Sequence, residues 1–137
     1  MNHVIVLDNE AVQALGDTSH PKHARVVSHL QIVAQRKRRA LPIRTVVPTT
    51  VRAEAGWDRS SPAWAFANRL RIEDVPLDRV HADTAAQIRT RTAVSVADAH
   101  IGAVIGSVAA DRITVLTSDD ADMRLVADTV PIIVVHI

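Results

Sequence analysis

Residues 113–122 read ITVLTSDDAD, four β-branched or aliphatic residues, then Thr117 and Ser118, then three carboxylates, Asp119, Asp120 and Asp122. A short apolar run without alternation reads as a strand buried on both faces, as in a parallel sheet. The carboxylates behind it suit the start of a helix, where the free backbone N–H groups favour negative charge. Residues 4–8, VIVLD, carry the same arrangement at the other end of the chain, with Asp8 closing the run. Between these two stretches, strands are expected at 44–47 and 72–75, and a last one at 132–137. Helices are expected at 9–15, 21–39, from Thr49 or Thr50 onward, from Ser60-Ser61-Pro62 through Trp64, Phe66 and Leu70, at 78–91, 96–110 and 119–127. Pro21 suits a first helical position, Pro48 a strand stop, and Ser95 a cap, as do Thr49 and Thr50. Strands alternating with helices predict an α/β fold, a three-layer sandwich around a mostly parallel sheet. In such folds ligands bind beyond the carboxyl ends of the strands.

The chain has 137 residues, a length that suits one domain over 1–137. It contains no cysteine, which excludes disulfides, thiolate zinc sites and cysteine nucleophiles and fits a reducing cytoplasm. Sixteen basic and fifteen acidic residues leave a net charge of +1, so bulk charge does not predict nucleic-acid binding. Aromatic residues are 2% of the chain, too few for a base-stacking platform. The apolar start is too short for a signal-peptide core, and the most apolar helical stretch, 99–110, falls short of the roughly 20 residues of a membrane span.

Four carboxylates fall where strand ends and following helix starts share one sheet edge. They are Asp8, Glu54 in TTVRAEAGW, Asp98 in SVADAHIGAVIG, and Asp119 in VLTSDDADM. Asp8 and Asp119 can each be a plain N-cap, and Asp98 lies near capping-box spacing from Ser95. Glu54 misses that register with Thr50 and sits a turn into its helix. Together the four would repel one another unless a cation neutralised them. An all-oxygen set suits Mg²⁺ or Mn²⁺, which can activate water and stabilise charge on a phosphodiester.

The ordered quartet Asp8, Glu54, Asp98, Asp119 resembles the acidic quartet of PIN-domain ribonucleases. The segments VADAHI and VLTSDDADMRLVA resemble bacterial VapC-type toxins of type II VapBC toxin–antitoxin systems, and the likeness runs from residue 4 to 137. The resemblance implies a PIN-like α/β/α sandwich with a central five-stranded sheet and metal-dependent endoribonuclease activity with Mg²⁺ or Mn²⁺. It also implies an RNA substrate, a cognate VapB-type antitoxin, a homodimer, and a cytoplasmic setting. By position, Asp8, Glu54, Asp98 and Asp119 are the catalytic metal ligands, Asp122 is a fifth acidic contributor, and Asp120 is solvated. Thr117 and Ser118 match small polar positions that can orient Asp119 or bind phosphate. Asn9 stands where hydroxyl residues are common and can still hydrogen-bond a ligand.

Arg52, Arg89 and Arg91 flank the acidic helices and are candidates for RNA contact, against the plainer reading of solvated surface charge. The cluster Arg36, Lys37, Arg38, Arg39 reads first as a helix C-terminus complementing its dipole. Trp57 and Trp64 read as core or interface residues, and His100 as a packing or surface residue rather than a ligand. The seven histidines form no HxxxH pair, against a zinc hydrolase. Residue 10 is Glu, against the Asp-x-Asp of haloacid-dehalogenase-type enzymes, and no lysine follows Lys37, against a receiver domain. The remaining alternatives are a housekeeping PIN nuclease of RNA processing and a catalytically inactive α/β binding module whose carboxylates are caps.

Overall fold

The computed structural model describes residues 2–38 and 43–137, with the side chains of 33–38 left aside. The cluster Arg36 to Arg39 therefore lies outside the described side chains. Five strands, β1 (His3–Leu7), β2 (Ile43–Pro48), β3 (Glu73–Val75), β4 (Arg112–Thr117) and β5 (Ile133–His136), form one sheet in the order β3-β2-β1-β4-β5. All the pairings are parallel, so the mostly parallel sheet expected from the apolar runs is parallel throughout its described strands. The helices are α1 (Asn9–Gly16), α2 (His23–Arg38), α3 (Thr49–Ala55), α4 (Ala65–Asn68), α5 (Arg79–Thr92), α6 (Val96–Ser107) and α7 (Asp120–Ala127).

Strand order explains why the fold has a site. From β1 the chain steps outward to β2 and β3, then returns past β1 to β4 and β5. Right-handed crossovers put the helices of the outward leg on one face and those of the return leg on the other. In the packing, α1 touches α2, α3 and α4, and α5, α6 and α7 touch one another, while α3 also meets α6. The reversal falls between β1 and β4, and the carboxyl ends of those two strands open the crevice where ligands bind in such sheets. Val4, Ile5, Val6 and Leu7 are buried, as a central strand covered on both faces requires.

Helix α6 is buried nearly all round, over Ala97 and Ala99–Ile105, as a helix apolar on every side must be. Gly102 permits its close approach: a Cβ there would stand 2.7 Å from Ile88 Cδ1 and 2.9 Å from the Val126 carbonyl oxygen. The expected helix from Ser60 through Leu70 is instead a 3₁₀ turn, Pro62–Trp64, running into the short α4. Three residues beyond the end of α4, Arg71 takes φ 56°, a left-handed conformation that a helix does not continue through. The end of α6 also falls short of Ala110. Among the described residues no helix is long and apolar enough to cross a membrane.

Candidate active site

Three of the four quartet carboxylates stand at helix starts, and two of them, Asp8 and Asp119, are N-caps. Asp8 Oδ1 accepts from Ala11 N–H at 2.9 Å, and Asp119 Oδ1 accepts from Asp122 N–H at 3.1 Å. Asp98 is not the cap of α6 but lies in its first turn, where its own N–H donates to Ser95 Oγ at 3.1 Å. Glu54 lies in α3, whose N-cap is Pro48 and which has no side-chain cap. The expectation that Thr49 and Thr50 cap α3 is corrected. Thr49 Oγ1 accepts from Leu77 N–H at 3.2 Å, and Thr50 Oγ1 bonds His100 Nδ1 at 2.8 Å. Pro48 closes β2 and starts α3 directly, because its backbone (φ −63°, ψ 137°) is extended and its missing N–H costs nothing at a helix start.

Convergence is visible in the electrostatics. Burial pushes the Asp98 carboxyl up to about 6, and the negative charges of Asp122, Asp8, Glu54 and Asp119 push it the same way. The other four acidic residues thus act on one carboxyl, although they come from the start of α1, from α3, from the β4–α7 connection and from α7. Asp8, only 6% exposed, is raised chiefly by burial and opposed by hydrogen bonds from the Thr117 side chain and the Ala11 and Ser118 backbones. Asp122 is raised by burial and then by Asp119. Among the described residues, no group of three His, Asp or Glu side chains is already disposed to hold an ion. Like charges with no cation between them favour rotamers that keep them apart. The donor chemistry, five carboxylates with no nitrogen or sulfur, nevertheless fits a hard divalent cation.

Supporting polar groups lie where the sequence puts them. Buried Thr117 accepts from Asp119 N–H at 2.8 Å through its hydroxyl oxygen while holding Asp8, so one side chain joins the ends of β1 and β4. Ser118 is half-buried beside it. Asn9 Nδ2 donates to Glu54 Oε1 at 3.2 Å. Asp120, expected to be solvated, is partly exposed and bonds His136 Nδ1 at 2.8 Å.

The arginines divide. Arg52 is committed inside the protein: Nε stands 3.0 Å from Asp74 Oδ1 and Nη1 donates to the Trp57 carbonyl at 3.1 Å. The Nε contact is an ion pair of poor hydrogen-bond geometry, since that buried nitrogen has no hydrogen-bond partner. Arg89 and Arg91 are exposed, bonded to the carbonyls of Val94 at 3.0 Å and Leu125 at 3.4 Å. Trp57 is buried and stacks on Trp64 with ring centroids 5.7 Å apart, in keeping with a core role. His100 is fully buried, which settles packing over surface. Its bond to Thr50 carried no sequence signal, because the two are 50 residues apart.

The acidic residues thus lie at the switch point of a parallel α/β sheet, the edge where ligands bind in such folds. A solved structure described as VapBC2 from Rickettsia felis bound to a DNA fragment from their promoter contains a chain of similar fold. The TM-score is 0.59 at 12% sequence identity, over 98% of this chain and 98% of that one. The fold is therefore PIN-like, as the sequence led one to expect. No family model matches the sequence, and no curated protein matches it either.

Proposed function

We propose that this protein is a Mg²⁺- or Mn²⁺-dependent endoribonuclease, the toxin half of a VapBC-type toxin–antitoxin pair. The reading is carried by the delivery of Asp8 and Asp119 to the carboxyl ends of the paired strands β1 and β4, with Asp98 repelled there by Asp122, Asp8, Glu54 and Asp119. Asp8, Glu54, Asp98 and Asp119, with Asp122, would hold the cation. When bound, it supplies water activation and charge neutralisation at a phosphodiester. The chain's own groups prepare the site. Thr117 fixes Asp8 and the first turn of the β4–α7 connection, Asn9 orients Glu54, and Ser95 caps the helix that presents Asp98. Ser118 is available to phosphate at the same edge. Of the three candidate arginines, Arg89 and Arg91 are the ones exposed to meet RNA at the surface.

The fold likeness to a chain of a VapBC2 complex supports a VapB-type antitoxin as partner. A homodimer and a cytoplasmic setting belong to the same reading. The test is cleavage of a pool of cellular RNAs by the purified protein with Mg²⁺ or Mn²⁺ and then with EDTA, beside Asp8→Asn and Asp98→Asn. Cutting that needs the metal and disappears in both variants is the expected result. Equal cutting by the variants would sink the metal mechanism. Folded, antitoxin-free protein that cuts nothing and binds no Mn²⁺ would make the chain a binding module.

A further inference from the structure

His100 occupies an expensive position. It is fully buried, its Nδ1 bonds Thr50 Oγ1 at 2.8 Å, and its buried Nε2 makes no well-formed hydrogen bond, the Pro76 backbone being the other polar group that acts on the ring. A buried nitrogen without a well-formed bond costs free energy that an aliphatic side chain of similar size would not. The bond has a particular place. Thr50 stands four residues before Glu54 on the same face of α3, and His100 stands two residues after Asp98 on α6. Each partner is thus within about one turn of a quartet carboxylate.

We propose that the Thr50–His100 hydrogen bond is a clasp that sets α3 against α6 and so fixes Glu54 at the separation from Asp98 that a shared cation requires. This rests on the metal-site reading above. The clasp matters because α3 is only seven residues long and has no side-chain N-cap, and its ties through Thr49 to Leu77 and through Arg52 to Asp74 do not lead to α6. Helix rise is about 1.5 Å per residue, whereas oxygen–metal distances tolerate about 0.2 Å. A slide of α3 by a small fraction of one residue therefore takes Glu54 out of reach. The other neighbour, His81, has its ring centroid 5.9 Å from that of His100. Its nitrogens are engaged by Asp78 at 2.9 Å and Ser107 at 2.9 Å, which leaves Thr50 as the side chain bonded to His100. Thr50 and His100 are positioning residues and do not touch substrate.

The double variant Thr50→Val/His100→Leu replaces both partners by apolar groups of similar shape, which leaves stability close to the parent. Calorimetry with Mn²⁺, and thermal unfolding in EDTA, separate position from stability. The expected result is an unfolding temperature near that of the parent with Mn²⁺ affinity weakened about tenfold, while Thr50→Ser, which keeps the hydroxyl, binds as the parent does. A double variant that binds Mn²⁺ as tightly as the parent, while Asp98→Asn does not bind, overturns the clasp and leaves the metal site standing. A parent protein that binds no Mn²⁺ overturns both. Where the double variant does not fold, Thr50→Val is read by the same criterion against Val26→Ala, a buried change on α2.

Discussion

Asn9 and Glu54 are 45 residues apart in sequence, yet Asn9 Nδ2 donates to Glu54 Oε1 at 3.2 Å. The bond joins the first residue of α1 to the carboxylate of α3, so Asp8 and Glu54 are braced by adjacent residues. Glu54 is exposed and Asn9 only half-buried, so water can replace the bond at little cost to folding. Asn9→Ala is therefore expected to leave stability within about 0.5 kcal/mol of the parent and to weaken Mn²⁺ affinity about tenfold. Asn9→Ser should retain part of it. Calorimetry and urea unfolding on the same preparations check both halves.

The pH dependence of metal-free stability has a definite sign at Asp98. Its folded-state pKa of about 6 lies above the ordinary 3.8. Between those values the folded chain binds more protons than the unfolded one, so this group's contribution falls as pH rises from about 4 to 6. The raised Asp8 acts in the same direction. His100 acts in the opposite one: burial lowers it from 6.5 to about 4, so its contribution falls as pH drops through that window. In EDTA, Asp98→Asn should gain stability at pH 7 relative to pH 4.5, compared with the parent, by about 1–2 kcal/mol after solvent screening. Mn²⁺ at about 100 times its Kd should stabilise the parent by about 2.7 kcal/mol and the variant little. Urea unfolding at both pH values, with and without Mn²⁺, tests this. A variant with the parent's pH slope would show that Asp98 is not the repelled carboxyl.

Gly102→Ala pits helix propensity against packing. Alanine is favoured over glycine in a helix by about 1 kcal/mol. The new Cβ, however, would meet Ile88 Cδ1 at 2.7 Å and, at 2.9 Å, both Val126 Cβ and the Val126 carbonyl oxygen. The isoleucine tip can turn away, but the carbonyl belongs to the backbone of α7. Overpacking of this kind costs about 1–3 kcal/mol, so net destabilisation is expected. Gly106, with nothing within 4 Å of an added Cβ, is the control: Gly106→Ala should be neutral or stabilising in the same denaturant titration.

Arg52→Ala distinguishes an internal brace from an RNA contact. Its partner Asp74 keeps Arg59, whose Nη2 stands 2.8 Å from Asp74 Oδ1, so the loss is partial. A stability loss of about 1 kcal/mol is expected, with the salt dependence of RNA binding unchanged. Arg91→Ala should do the reverse, lowering the slope of log affinity against log salt by about one if Arg91 meets a phosphate. Filter binding across a salt series reads both.

The order of strands and helices was legible in the sequence because it depends on short-range patterns. The apolar run 4–7 ending at Asp8 and the run 113–116 leading to Asp119 became β1 and β4, neighbours in the sheet. Ser95 and Asp119 cap helices as their local spacing implied. The segment from Ser60 to Leu70 is a 3₁₀ turn and one short helical turn, not one helix, and Trp64 there packs against Gly16 of α1.

What the sequence determined by itself is therefore an alternating α/β chain whose strands deliver carboxylates to one edge, since periodicity and capping act within a few residues. Only the tertiary structure decided that Glu54 and Asp122 act on Asp98, that Thr50 bonds His100 instead of capping α3, and that Arg52 turns inward to Asp74. Those contacts depend on which strands lie beside β1 and which face each crossover takes. Charge repulsion and hydrogen bonding act through space between residues that the chain order keeps far apart.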